Sequence, residues 1–162
     1  MFSGKIEDYI LFEDKEIIVC RKPAGIAVQN ARIGAMDLES SLKNYLAMQA
    51  GGGRRIPYLA VIHRLDQPVE GLLVLAKTKQ AAAGLSKQLQ AGTLNKQYYA
   101  LVYRGAEEIP KEGILADYLW KNPQTQKAEI VAQASGKGKQ AKLHYRVMTV
   151  SYTHLRAHET GR

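Results

Sequence analysis

Residues 62–78 read Ile62-His63-Arg64-Leu65-Asp66-Gln67-Pro68-Val69-Glu70-Gly71-Leu72-Leu73-Val74-Leu75-Ala76-Lys77-Thr78. Leu59 to Ile62 and Gly71 to Ala76 are short apolar runs with strand character, and between them lies a polar loop, His63 to Glu70, containing Pro68. Polar residues held between two buried strands are well placed for chemistry. Thr78 is positioned as the N-cap of a helix that carries Ala81, Leu85 and Leu89 on one face and stops at Gly92. Upstream, Ile10 to Glu13 and Ile17 to Arg21 are β-prone runs, and Lys22-Pro23-Ala24-Gly25 turns the chain after the second. From Asp37, Leu38, Leu42, Tyr45 and Leu46 recur at helical spacing until the loop Gly51-Gly52-Gly53-Arg54-Arg55. Downstream, Gln97 to Tyr103 and Ala141 to Val150 read as strands, with weaker candidates at Gly113 to Trp120 and Ala128 to Ala132. Short strands and two clear helices, without regular alternation, predict an α+β fold on a mixed, mainly antiparallel sheet with flanking helices.

A length of 162 residues suits one domain, and 46% hydrophobic with 23% charged residues is ordinary globular usage. The longest clean apolar run, Leu72 to Ala76, falls far short of the roughly 20 residues of a membrane helix, and Met1 to Ile10 lacks the pattern of a secretory leader. Cys20 stands alone, so no internal disulfide forms; it reads as an inert core thiol, and a reducing cytoplasm is the expected setting. His154 and His158 lack a third ligand nearby and make a poor metal site. The chain has no Gly-x-x-x-x-Gly-Lys-[Ser/Thr], Gly-x-Gly-x-x-Gly, Gly-x-Ser-x-Gly or His-Glu-x-x-His pattern, which removes the usual support for NTPase, dinucleotide, serine-hydrolase and zinc-protease readings.

Twenty-three Lys and Arg against 15 Asp and Glu give a formal charge of +8, which favours a polyanionic partner. The excess is uneven. Met1 to Cys20 is acidic, with Lys5 and Lys15 facing Glu7, Asp8, Glu13, Asp14 and Glu16, whereas Lys121 to Arg146 holds six basic residues and only Glu129. A basic face and a nucleic-acid partner follow; a merely solvated lysine surface is the plainer reading.

The segment from His63-Arg64-Leu65-Asp66 to Gly71 and the apolar strand ending in Ala76-Lys77 resembles the signature of the RluA/RsuA-type pseudouridine synthases. Three further segments match in order: Ile10-Leu11-Phe12-Glu13-Asp14, the Lys22-Pro23-Ala24-Gly25 loop with the strand before it, and Lys96-Gln97-Tyr98-Tyr99-Ala100-Leu101-Val102. The resemblance spans about residues 6 to 150 and implies an RNA-modifying isomerase of ribosomal or transfer RNA, with no cofactor and no metal. Without a leading RNA-binding domain it is similar to the stand-alone, RluA-like members, and a monomer is expected.

Turning uridine into pseudouridine breaks a glycosidic bond, rotates the uracil and rejoins it through carbon 5. A carboxylate near the ribose either attacks the anomeric carbon or removes a sugar proton, and the sequence leaves both routes open. By resemblance Asp66 is that carboxylate, and Tyr98 stacks under the uracil with its hydroxyl near carbon 5. Arg64 supports the flipped RNA or forms a structural ion pair, while Lys22, Lys77 and Lys96 contact phosphates or the sheet edge. His63 is a hydrogen-bonded structural residue outside the proton transfers. Read without the motif, Asp66 caps a turn before Pro68 and Tyr98 is an ordinary strand aromatic whose neighbour Tyr99 faces the opposite side.

The family continues into a third motif that supplies an active-site arginine. Here Thr153-His154-Leu155-Arg156-Ala157-His158 only echoes it, so that role is not carried to Arg156. Residues 1–150 are therefore expected to be a partial catalytic domain and residues 151–162 an atypical, foreign or frame-shifted tail. A non-catalytic RNA-binding module, or an inactive fragment of the enzyme, is the alternative.

Overall fold

Ile10–Glu13 (β1) and Ile17–Lys22 (β2) form an antiparallel hairpin closed by Asp14, whose Oδ1 accepts the N–H groups of Glu16 and Ile17, each at 2.7 Å. Those two bonds hold the Asp14 carboxyl below its ordinary range. The computed structural model describes residues 2–30, 36–51, 56–102 and 109–148, and the chain divides into two units, 1–98 and 99–162.

In the first unit, Gly71–Ala76 (β4) pairs antiparallel with β2 and with the two-residue strand Ala60–Val61 (β3), giving the order β1-β2-β4-β3. Alternation then assigns the faces. Ile18, Cys20 and Lys22 of β2 and Leu73 and Leu75 of β4 are all buried on one side. On that side they share a core with Leu38, Leu42 and Leu46, spaced by one helical turn along Leu38–Gln49 (α1). Asp37 caps α1, accepting the N–H groups of Ser40 at 2.7 Å and Asn30 at 2.8 Å. On the opposite side Phe12 and Leu72 remain exposed.

Lys79–Gln90 (α2) follows β4 directly, with Thr78 as its N-cap, as the sequence predicts. Its end is a Schellman motif: Gly92, at φ +70, donates to Leu89, and Thr93 donates to Gln88. In the second unit Glu112–Lys121 (β5) is the central strand, flanked antiparallel by Ala128–Val131 (β6) and Lys139–Arg146 (β7).

The α+β class holds, carried by two antiparallel sheets in separate units; every strand pair described is antiparallel. The last strand ends at Arg146, before the expected Val150, and Thr149 and Val150 lie outside the described residues. The strand expected over Gln97 to Tyr103 is absent from residues 97–102. A strand needs a partner as well as β-forming residues, and no described strand pairs with this run. Tyr103 and the tail 151–162 lie outside the described residues. Among the described residues no helix is long and apolar enough to cross a membrane.

Candidate active site

The loop between β3 and β4 is pinned from inside at two points. Leu65 packs against the core, and Gly71 makes room for it: a Cβ at Gly71 would lie 3.0 Å from Leu65 Cδ1. Two residues on, the Gln67 carbonyl accepts the Gly25 N–H at 2.8 Å, and the Gln67 side chain donates back to the Gly25 carbonyl at 3.0 Å. Between these anchors Asp66 is exposed, as is Arg64 on the other side of Leu65. The Asp66 carbonyl accepts the Val69 N–H at 3.0 Å, closing the turn over Pro68.

Lys22 holds the two loops together. It is wholly buried, and its ammonium donates to the carbonyls of Pro23 at 3.0 Å, Ile26 at 2.7 Å and Gln67 at 3.1 Å. Burial pushes its pKa down, opposed by the charges of Asp66 and Glu70. The expectation that Lys22 contacts phosphate is therefore corrected. Its position continues the inward-facing series of Ile18 and Cys20, so its charge is spent on carbonyls beneath the Asp66 turn.

His63 is half-buried and its Nδ1 has no hydrogen-bond partner, so the expected hydrogen-bonded role is not met at that atom. Burial first, and then the charge of Lys96, lower its pKa and leave the ring neutral at neutral pH. Lys96 is itself exposed. Tyr98 is 62% exposed and outside any strand, so strand register does not separate it from Tyr99, which is 86% exposed.

Lys77 sits at the other end of β4 from Asp66. Its ammonium lies 2.6 Å from Glu13 Oε1 and 2.6 Å from the Asp14 carbonyl, a tie to edge strand β1 and not a free phosphate contact. An open cleft of about 1030 Å³ at this end is lined by Lys15, Lys43, Tyr58, Lys77 and Lys79, but Lys43 is paired with Glu39 as Lys77 is with Glu13. Sequence reading missed Gln67 and Glu13, whose roles come from residues distant along the chain. Cys20 is buried and its thiol is pushed up to about 12 by that burial, as an inert core thiol requires. Among the described residues no group of three or more His, Cys, Asp or Glu could hold a metal ion. His154, Arg156 and His158 lie outside the described residues.

The fold is shared with the human protein RNA Pseudouridylate Synthase Domain Containing 4, at a TM-score of 0.61 and 19% identity, over 90% of this chain and 56% of that one. The model of the family described as RNA pseudouridylate synthase matches residues 16–162, and the chain belongs to that family. A ribosomal large subunit pseudouridine synthase D from Nitrosomonas europaea is 36% identical over 94% of this chain and 43% of its own length. The protein of the same name from Pseudomonas aeruginosa is 35% identical over 97% of this chain and 47% of its own. This chain thus spans less than half the length of these curated relatives.

Proposed function

We propose that this chain isomerises uridine to pseudouridine in RNA, with Asp66 as the catalytic carboxylate and residues 1–150 as its catalytic domain. The observation that carries the reading is the Asp66 turn: an exposed carboxylate between a side chain sunk in the core and a carbonyl bonded to Lys22 and Gly25. A reacting group on backbone fixed in advance avoids the entropic cost of ordering it at each turnover. The C1′–N1 bond breaks, a C1′–C5 bond forms, carbon 5 loses its proton and N1 gains one, so no cofactor is consumed. Asp66 either adds to C1′ and is released, or takes a sugar proton and returns it.

The exposed ring of Tyr98 supplies a stacking surface for the uracil, with its hydroxyl serving the deprotonation at carbon 5. Arg64 and Lys96, both exposed, meet the RNA. Lys22 and the neutral His63 support the turn, and Lys77 secures the sheet edge. The names of the relatives favour large-subunit ribosomal RNA as the substrate, with transfer RNA second, in the cytoplasm.

Pseudouridine formation in bulk ribosomal and transfer RNA, for the chain and its Asp66→Asn variant, tests the proposal. Turnover by the first and none by the second is the expected result. RNA binding without turnover by a folded chain would replace the proposal with a non-catalytic RNA-binding module.

A further inference from the structure

The formal charge of +8 divides equally between residues 1–98 and 99–162, but among the described residues the second unit holds most of the excess. Residues 2–30, 36–51 and 56–98 carry ten Lys and Arg against nine Asp and Glu, whereas residues 109–148 carry seven against Glu112, Asp117 and Glu129. Four of the seven gather at one end of the three-stranded sheet. Lys121 ends β5 opposite Ala128, and Lys139 begins β7 opposite Leu119. The Lys127 carbonyl accepts the Asn122 N–H at 2.9 Å across the β5–β6 turn, and the Lys137 ammonium stands 5.8 Å from the centre of the Trp120 ring.

These lysines are placed without being neutralised. Among the described residues none of the four forms an ion pair; the second unit's ion pair joins Arg146 to Glu112. Glu129, the acid opposite Trp120, is engaged by Asn122 at 2.9 Å and by Thr125 at 3.4 Å. The loop bearing Lys137 and Lys139 is seated by Gly138, where a Cβ would lie 2.7 Å from Val131 Cγ2 and 3.0 Å from Tyr118 Cβ. Unpaired charges on a seated loop keep their affinity for an anion and lose little freedom on meeting it.

We propose that this end of the sheet, which carries Lys121, Lys127, Lys137 and Lys139 together with Trp120, is a second RNA-binding site that grips the phosphate backbone with residues other than those of the Asp66 turn. The proposal rests on the RNA reading above. It assigns these lysines to affinity, with no part in bond making.

Trp120 is the single tryptophan, so its fluorescence reports on this end directly. The full chain is titrated with a fluorescein-labelled RNA hairpin, following anisotropy and Trp120 emission over a salt series. Wild type is compared with Lys121→Gln/Lys127→Gln/Lys137→Gln/Lys139→Gln and with the corresponding four Lys→Arg changes. The Gln variant is expected to bind at least about tenfold more weakly, with a log-affinity against log-salt slope shallower by about 0.7 for each phosphate no longer gripped. The Arg variant should bind as wild type does, and Trp120 emission should change on RNA addition. Unchanged affinity and slope in the folded Gln variant would overturn the second site while leaving the catalytic reading intact. Failure of wild type to bind RNA would overturn both, as would a Trp120 response to anionic phospholipid vesicles with none to RNA.

Discussion

The ammonium of Lys22 lies 3.1 Å from the carbonyl oxygen of Gln67, a residue 45 positions further along the chain. This bond, with those to Pro23 and Ile26, makes one buried cation the common floor of two loops that are distant in sequence. The Asp66 turn rests on it.

Lys22→Met keeps the length of the side chain and removes the donors. Stranding buried carbonyls costs about 1–3 kcal/mol, partly offset because no charge is then buried. Urea unfolding should show a loss in that range, and exchange of the Gly25 amide, bonded to Gln67, should accelerate. Unaltered Gly25 protection would separate Lys22 from the turn.

Asp66→Asn is isosteric at an exposed side chain, so stability should change by less than about 0.5 kcal/mol. Pseudouridine formation should vanish. A large fall in the denaturation midpoint would instead make Asp66 a structural turn residue.

His63 makes stability depend on pH. Its folded pKa is lowered from 6.5. Above that ordinary value both folded and unfolded chains hold the ring neutral; below it the unfolded chain takes up the proton more readily, so stability falls as the pH drops towards and through the folded value. Urea midpoints measured downward from about pH 7.5 should decline as the pH falls below about 6.5, and less steeply in His63→Gln. Parallel profiles for the two proteins would contradict this.

Gly138→Ala drives a methyl group into Val131 and Tyr118. Overpacking of this kind costs about 1–3 kcal/mol. Chemical denaturation should register the loss, and Trp120 emission should shift as the neighbouring Lys137 is displaced from its ring. Wild-type emission with full stability would show that the loop accommodates the methyl group freely.

Both helices were legible because their signals are local: apolar spacing of one turn, and the caps Asp37 and Thr78 directly before the first helical residue. Strand β4 was legible for a similar reason, being a dense apolar run opened by glycine. Residues 97–102 were misread because strand formation depends on a neighbour that the segment does not itself encode. Lys22 misled in another way. Lysines are rarely buried without partners, and the partners here are carbonyls, one of them beyond an entire helix. The alternation Ile18, Cys20, Lys22 was the available clue, since the third member of an inward-facing series must also face inward. The motif brought Asp66 and Arg64 to notice, while the inward Leu65 between them explains why both face out.

The lone thiol has a practical value of its own. Cys20 lies at the centre of the first sheet, shut off from solvent and with its ionisation suppressed to about 12. An alkylating reagent in the surrounding buffer thus marks only those molecules in which the core over Cys20 has opened, by loss of the α1 packing or of β2 from its neighbours. The wild-type chain carries its own reporter: the rate at which label accumulates follows the population of molecules whose first-unit core stands open, with no engineered probe to disturb it.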